Sequence, residues 1–215
     1  MNVLILYYSL TGQASVVAQI ADKTLCEAGA TVTRCRVDFA DPAIRPQRPF
    51  KLADVKRWSA IAAAGQQFDI TIDPLNALNR RYDLILLLSN TWQKHPAPPI
   101  RSLLSHPDMK RILYGTPIAT YVISRRLWRR NAEVVEQETT AAGASTLGCW
   151  HFGHCGGAIT SLFTTIAYML SKADGVMWPL PQYGLSDEAI ARVAPTTHEV
   201  LSKAQAWRSR QAAEA

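Results

Sequence analysis

The sequence predicts an α/β fold in which helices cover both faces of a parallel sheet. The runs NVLILYY (2–8) and DLILLLSN (83–90) are continuously apolar, as strands buried on both faces are. Helical patterns separate these runs, and alternating strands and helices are typical of parallel sheets. The chain has 215 residues, of which 48% are apolar and 19% are charged, and this suffices for one sizeable core.

The first half of the chain supplies three predicted strands. After NVLILYY, residues 15–29 have helical spacing and end at Gly29, a residue type common after helices. ATVTRCRV (30–37) alternates apolar and polar residues and predicts the second strand, and DLILLLSN is the third. Residues 40–80 lie between these two strands and are too many for a passive connection, so we expect an insertion there.

The second half supplies two more strands and the last helix. TPIATYVIS (116–124) predicts the fourth strand, a helical pattern follows, and STLGCWHF (145–152) predicts the fifth. A second insertion is expected over residues 153–183. The helix over residues 185–207 begins with Ser186 as its cap, and Pro195 should kink or restart it. We treat residues 1–215 as a single domain with these two insertions.

Composition excludes several classes of protein. The four cysteines form no CxxC pair and favour a reducing compartment, and the N-terminus lacks the pattern of a signal peptide, so we expect a cytoplasmic protein. The run AITSLFTTIAYML (158–170) is shorter than the ~20 apolar residues of a membrane span. The net charge is +6, with a cluster at RRLWRR (125–130), but no nucleic-acid-binding motif accompanies it.

A loop rich in hydroxyl groups follows the first strand and leads into the first helix. Ligands of open α/β sheets bind beyond the carboxyl ends of the strands, where Ser9 to Gln13 should lie. Backbone amides and the helix dipole at this place favour an anion. The loop lacks both the GK[ST] of a P-loop and the GxGxxG of a dinucleotide fold, so it favours a monophosphate.

The stretch YYSLTGQAS (7–15) resembles the FMN-phosphate loop of the flavodoxin-like family. The resemblance implies a flavodoxin-like three-layer sandwich with five parallel strands in the order 2-1-3-4-5. It also implies FMN as cofactor, with the isoalloxazine ring held by the loops after the third and fourth strands. The implied FMN site comprises thirteen residues from three loops, namely Ser9, Leu10, Thr11, Gly12 and Gln13, then Asn90, Thr91, Trp92 and Gln93, then Ser124, Arg125, Arg126 and Trp128.

The two tryptophans of this set have different expectations. By analogy with the family, Trp92 would stack on the ring or close its edge. Trp128 lies further into its loop and could equally pack beneath the loop or touch flavin. Both could instead be core residues, as single aromatic residues usually are. The two arginines could stabilise reduced flavin, anchor an acidic group, or form a solvated basic turn.

A closer resemblance extends beyond this loop. The tryptophan and prolines of TWQKHPAPP (91–99), the loop after the fourth strand and PLPQYGLSDEAI (179–190) resemble the flavodoxin-like proteins of aryl polyene and dialkylresorcinol gene clusters. These are often labelled dialkylresorcinol condensing enzymes, with a proposed aromatase role. The resemblance implies a small cyclic enone, phenol or quinone as substrate, and an acyl carrier protein as a candidate partner. It leaves open NAD(P)H as a second cofactor and a homodimer as the assembly.

Three histidines are candidates for proton transfer, because histidine titrates near neutral pH. His151 and His154 follow the fifth strand, and His95 lies in the loop that should approach the flavin. Each could also be a loop histidine without a role. A metal site built from Cys149, His151, His154 and Cys155 is disfavoured because the ligands are too closely spaced for one tetrahedral zinc site, so we predict no metal.

Three functions follow from these observations. The first is an FMN-dependent oxidoreductase of a small ring substrate, in its most specific form an aromatase. The second is an electron carrier, although carriers of the flavodoxin kind are usually acidic and shorter. The third is a flavodoxin-like scaffold or non-redox aromatase without flavin, because bulky side chains of residues 122–131 could fill the ring site. No GxSxG motif supports hydrolysis.

Overall fold

The computed structural model describes residues 1–171 and 182–214, and residues 172–181 of the predicted second insertion lie outside this description. The described strands are β1 (Asn2–Tyr7), β2 (Thr31–Phe39), β3 (Ile70–Asp73), β4 (Leu84–Trp92), β5 (His95–Pro96), β6 (Pro117–Ser124) and β7 (Ser145–Gly153). The described helices are α1 (Gln13–Glu27), α2 (Leu52–Ala64), α3 (Pro98–Ser105), α4 (Pro107–Leu113), α5 (Arg129–Ala141), α6 (Ala158–Leu170), α7 (Asp187–Ala191) and α8 (Val193–Glu214), with a 3-10 turn over Leu75–Asn79.

Five parallel strands form the centre of the sheet, in the order β2-β1-β4-β6-β7. These are the five predicted strands, and their order is the predicted 2-1-3-4-5. The predicted number of strands is too small, because β3 pairs antiparallel with β2 and β5 pairs antiparallel with β4. Both additional strands are short, and neither has a continuous apolar run that predicts a strand from sequence.

Alternate side chains of each buried strand enter two different cores. Val3 and Ile5 of β1 pack with α1, α7 and α8, whereas Leu4 and Leu6 pack with α2, α3, α4 and α5. All four side chains are fully buried. Because each continuously apolar strand has two apolar faces, helices pack on both sides of the sheet and form three layers with it.

The insertion between β2 and β4 has its own structure. It contributes α2, the edge strand β3 and the 3-10 turn. Trp58 of α2 is buried and packs between Phe39 of β2 and Phe68, which precedes β3. The insertion is thus joined to the central sheet by an aromatic core and by an added strand.

The C-terminal helix is divided into two. The Ser186 hydroxyl accepts a hydrogen bond from the Ala189 amide and caps α7, as predicted. The helix ends at Ala191 and α8 restarts at Val193, so Pro195 lies in the first turn of α8, where a missing amide hydrogen costs little. Within the described residues, no helix is both long and apolar enough to cross a membrane.

Candidate functional site

A cavity of about 230 Å³ lies at the carboxyl ends of the central parallel strands. This is the edge at which open α/β sheets bind ligands, beside the point where the strand order reverses between β1 and β4. The loops after β1, β4 and β6 converge on the cavity, and residues from the second insertion close it. Eleven of the predicted site residues line it, namely Leu10, Thr11, Gln13, Asn90, Thr91, Trp92, Gln93, Ser124, Arg125, Arg126 and His154.

The loop after β1 is shaped by residues that do not line the cavity. Gly12 has φ of 83°, in the left-handed region that favours glycine, and it precedes the first turn of α1. The Ser9 hydroxyl accepts a hydrogen bond at 3.3 Å from the Ser15 amide in the first turn of α1. Ser9 and Gly12 thereby turn the chain so that Leu10 and Thr11 lie at the cavity, beside the N-terminus of a helix of 15 residues.

The end of β4 forms the second wall. Asn131 of α5 is fully buried, donates to the Thr91 hydroxyl at 2.8 Å and accepts from the Ser89 hydroxyl at 2.7 Å. These bonds fix β4 against α5. Asn90 Oδ1 is buried in the same wall and has no hydrogen-bond partner within the described part of the chain. A buried oxygen without a partner is costly and indicates a missing donor.

Trp92 contributes to the cavity and to the core at once. It is the last residue of β4, and its ring lies 6.2 Å from Tyr8 and 5.4 Å from Trp58 between centroids, both in edge-on arrangements. His95 pairs with Trp92 across the β4–β5 turn but is not part of the cavity lining. Burial and the charges of nearby basic side chains lower the pKa of His95.

The loop after β6 brings two arginines to the cavity and turns its tryptophan away. Arg125 and Arg126 line the cavity, whereas Trp128 stacks on His151 with ring centroids 5.3 Å apart and an interplanar angle of 11°. Trp128 is therefore not among the residues that line the cavity, and its contact with flavin stays a prediction. His151 is likewise outside the lining.

A hydrogen bond connects His151 to the cavity wall. Its Nε2 atom lies 3.1 Å from both the hydroxyl and the carbonyl oxygen of Ser124, and Ser124 lines the cavity. Because a carbonyl oxygen can only accept, Nε2 carries the proton. Burial lowers the pKa of His151, so its ring is neutral at neutral pH.

His154 is the one predicted histidine that lines the cavity. Its Nδ1 atom is buried without a hydrogen-bond partner among the described residues. Burial, with smaller contributions from the charges of Arg125 and His151, lowers the pKa of His154 to about 4. The imidazole is therefore neutral at neutral pH and has a free position for a ligand.

Five residues of the lining were not among the predicted site residues. Tyr183 is the most informative of them, because its hydroxyl donates to the Thr11 hydroxyl at 3.4 Å and its ring stacks on Tyr168 of α6 at 3.9 Å. The Arg48 guanidinium lies 3.7 Å from the Tyr168 ring centroid, and burial raises the pKa of Tyr183 to about 12. The remaining four are Ile123, Leu127, Thr165 and Met169.

A signal for Tyr183 was present in the sequence. It belongs to PLPQYG (179–184), which carries part of the closer family resemblance. Gly184 has φ of 138°, and a Cβ there would come within 2.8 Å of the Gln13 side chain. Gln13 Oε1 accepts from the Leu185 amide at 2.9 Å. A glycine is thus needed for the C-terminal segment to reach the first loop.

The described residues contain no group of three or more side chains able to hold a metal ion. The four cysteines are free. Burial raises the pKa of Cys35 to about 12, so this residue is not a ready thiolate at neutral pH.

Comparison with known proteins identifies the fold. No protein-family model matches the chain, and no curated protein does. A flavodoxin from the domain Archaea is similar with a TM-score of 0.53 and 10% identity, over 95% of this chain and 99% of that one. A short-chain flavodoxin associated with a non-canonical PDU bacterial microcompartment has a TM-score of 0.50 and 12% identity, over 95% and 99%.

A flavodiiron protein from Giardia intestinalis is also similar, with a TM-score of 0.54 and 9% identity over 97% of this chain and 37% of that longer chain. Similarity at these identities shows the fold. Together with the strand order, it confirms the predicted class: the chain has a flavodoxin-like α/β fold with a mostly parallel sheet between two layers of helices.

Proposed function

We propose that the chain binds FMN in the cavity and acts as an oxidoreductase on a small cyclic enone, phenol or quinone. One observation carries the proposal. Three loops at the carboxyl edge of the sheet converge on a cavity in which two buried polar atoms, Asn90 Oδ1 and His154 Nδ1, have no hydrogen-bond partner among residues 1–171 and 182–214. Such atoms are rare in folded proteins and are expected where a ligand supplies the missing hydrogen bonds.

The residues present fit this cofactor. The N-terminus of α1 and the Thr11 hydroxyl suit a monophosphate, and the helix dipole favours its negative charge. Asn90 Oδ1 can accept from a ring N–H group, and Trp92 provides an aromatic surface at the same wall. When bound, FMN would supply one- or two-electron redox chemistry at its isoalloxazine ring.

The side chains of the cavity can assist such chemistry. The charges of Arg125 and Arg126 favour an anionic group at the lining. His154 is neutral, and its Nδ1 atom can form a hydrogen bond with a bound ligand. The Ser124 hydroxyl, bonded to His151, provides a second position from which a proton can pass between the cavity and the loop. The aromatase reaction is the most specific form of the proposal.

Two other functions have support from particular features. The cavity of about 230 Å³ is below the ~300–1,000 Å³ usual for ligand pockets, which favours a flavin-free scaffold in which Tyr183 and the arginines fill the ring site. An electron carrier is supported by the fold alone, and the net charge of +6 is opposite to that usual for flavodoxin carriers.

The proposed partners rest on the family resemblance and on charge. Arg125 and Arg126 suit the phosphate of NADPH or the acidic surface of an acyl carrier protein. A cytoplasmic homodimer completes the proposal.

The test is a titration of the purified protein with FMN and, separately, with riboflavin, followed by absorption and flavin fluorescence. We expect quenched fluorescence, with FMN bound at least ~10-fold more tightly than riboflavin because only FMN has a phosphate. Thr11→Ala should weaken the binding of FMN but not of riboflavin, and Trp92→Ala should weaken the binding of both. The control variant Thr71→Ala, at an exposed position on β3, should weaken the binding of neither.

Two results would contradict the proposal. If neither flavin binds, the flavin-free scaffold replaces it. If FMN binds but the loaded protein reduces no quinone or enone with NAD(P)H and oxidises no cyclohexenone, while it exchanges electrons with a carrier protein, the electron carrier replaces the enzyme.

A further inference from the structure

Helix α6 has an inverted arrangement of polar and apolar side chains. Ile159, Leu162, Phe163, Ile166 and Leu170 are all exposed, Ile159 by 71% and Phe163 by 56%. At 100° per residue these five positions form one stripe about 100° wide along the helix. The face that should be buried in an ordinary surface helix is therefore turned outward.

The opposite face of α6 carries hydroxyl groups and packs on the protein. Ser161 and Thr164 are buried, and Thr165 lines the cavity. The Thr164 and Thr165 hydroxyls donate to the carbonyl oxygens of Thr160 and Ser161, at 2.9 and 2.7 Å. Because these hydroxyls are satisfied within the helix, they can face the protein, and the apolar stripe is left to face an apolar environment.

The C-terminal end of α6 is fixed to the first insertion. The Phe50 amide donates to the Met169 carbonyl oxygen at 2.8 Å, and Arg48 donates to the Tyr168 carbonyl oxygen at 3.1 Å. Leu52, which follows Phe50 by two residues, is 70% exposed. The apolar surface of α6 thus continues towards the start of α2.

Basic side chains follow Phe50 in the segment that is hydrogen-bonded to the C-terminal end of α6, and α6 itself carries no charge. Lys51 and Lys56 are exposed at the start of α2. Across the cavity from Thr165 and Met169, the exposed Arg126 stands beside the exposed Leu127. The only acidic residue among positions 48–58 is Asp54, which accepts from the Lys51 amide and caps α2. The rim is therefore positive, which favours an anionic partner.

Size disfavours a second copy of the chain as the partner. A standard interface takes about 20–30 residues of all types from each side, whereas α6 has 13 residues, only one face of which is exposed, and Leu52 and Leu127 add two more. Binding to a bilayer surface requires no minimum number of residues of this kind, since an interfacial helix needs only an apolar stripe and nearby cations. With 13 residues, α6 is about 20 Å long and cannot span the ~30 Å core.

We propose that α6 docks the protein on the surface of a membrane that contains anionic lipids, with its apolar stripe in the headgroup region and the basic rim against lipid phosphates. The docking does not depend on FMN. It would hold the cavity, one wall of which is formed by Thr165 and Met169, beside the bilayer.

The test is flotation of the full chain with vesicles of phosphatidylcholine alone and of phosphatidylcholine mixed with phosphatidylglycerol. We expect flotation with the mixed vesicles, and a partition coefficient that falls at least ~10-fold in the double variant Phe163→Gln, Ile166→Gln, because two of the five apolar side chains of the stripe are lost. In the Lys51→Gln, Lys56→Gln variant, the partition coefficient into the mixed vesicles should fall up to ~25-fold, about fivefold for each charge removed.

The matched control is Val16→Gln, Tyr114→Gln, which removes two exposed apolar side chains outside α6 and should float as the parent chain does. Circular dichroism and urea midpoints verify that each variant is folded. A parent chain that does not float overturns the proposal, and a dimer that dissociates in the α6 variant identifies a second copy as the occupant. Equal binding to both vesicle types overturns the role of the anionic lipid.

Discussion

The two faces of the sheet are covered by different kinds of core. On the side of α1, α7 and α8, the core is mostly aliphatic and alanine-rich, with helices that pack closely on β1 and β4. On the other side, the carboxyl ends of the strands carry a cluster of connected aromatic rings. The members of this aromatic cluster are Tyr8, Phe39, Trp58, Phe68 and Trp92.

The difference shows where the candidate site depends on the insertion. Two members of the aromatic cluster, Trp58 and Phe68, come from residues 40–80, and Trp92 belongs to both the cluster and the cavity lining. A change in the insertion can therefore reach the cavity through one ring. On the aliphatic face, the described ring contacts join Tyr121 to Trp150 and Phe152, and none of these three lines the cavity.

The largest effect is expected from Trp58→Ala. The side chain is 5% exposed, and its removal leaves a cavity among three aromatic rings, so the free energy of unfolding should fall by about 3–5 kcal/mol. The variant should also lose the exciton coupling between Trp58 and Trp92, whose ring centroids are 5.4 Å apart, in the ultraviolet circular dichroism spectrum. Urea unfolding and that spectrum measure the two effects.

Leu201→Ala on α8 is the matched change on the aliphatic face. It should cost about 2–5 kcal/mol of unfolding free energy and leave the exciton signal intact. If both variants alter the signal equally, the two faces are not independent and the comparison fails.

An intermediate change in stability is expected when the pH is lowered, because of His154 in the cavity lining. The pKa of His154 is about 4, below its ordinary value near 6.5, so the unfolded chain binds the proton more strongly. Stability from the neutral ring is fully present above about pH 6.5 and is lost as the pH falls towards about 4. Between about pH 7 and pH 4.5 the loss should be about 2 kcal/mol.

His154→Gln removes this titration and should flatten the pH dependence by that amount. Urea midpoints of both proteins at several pH values measure the difference, which cancels the contributions of His95 and His151, whose pKa values are also lowered. Parallel pH profiles for the two proteins would show that His154 is solvated and that its Nδ1 atom does not await a ligand.

The sequence was sufficient to predict the central parallel sheet and the helices that pack on its two faces. The continuous apolar strands β1, β4 and β6 are buried on both faces, and a period of two then assigns their side chains to the two cores. The position of the cavity followed from the same argument, because the loops after β1, β4 and β6 must meet at one edge. The single-domain prediction for residues 1–215 stays a prediction.

The additional strands and several site contacts could not be predicted, because they depend on contacts between distant segments of the chain. β3 has four residues and is a strand only because β2 offers an unpaired edge. Trp128 and His151 stack on each other, although each was considered separately for the cavity. Tyr183 reaches Thr11 from 172 positions away, and no local pattern encodes such a pairing. Of the five residues missed in the lining, Tyr183 is of this long-range kind and two lie on α6, whereas Ile123 and Leu127 adjoin predicted residues of β6 and its loop.

The smallest expected change in the free energy of unfolding comes from one tyrosine hydroxyl group on each face of the sheet. Tyr121 on the aliphatic face forms a buried hydrogen bond to the Thr197 hydroxyl at 3.1 Å, whereas Tyr8 in the aromatic cluster has a buried hydroxyl without a partner in the described residues. Tyr121→Phe should lower the free energy of unfolding by about 1 kcal/mol, and Tyr8→Phe should raise it by about 1 kcal/mol.

Urea unfolding of the two variants measures these opposite signs with the same chemical change, so each is the control for the other. Burial raises the pKa of both tyrosines, and neither hydroxyl ionises under the conditions of the measurement. If Tyr8→Phe is destabilising, its hydroxyl has a partner, such as an ordered water. The aromatic cluster would then be a hydrated polar pocket beneath Trp92, and the contrast between the two faces would be one of solvation as well as of packing.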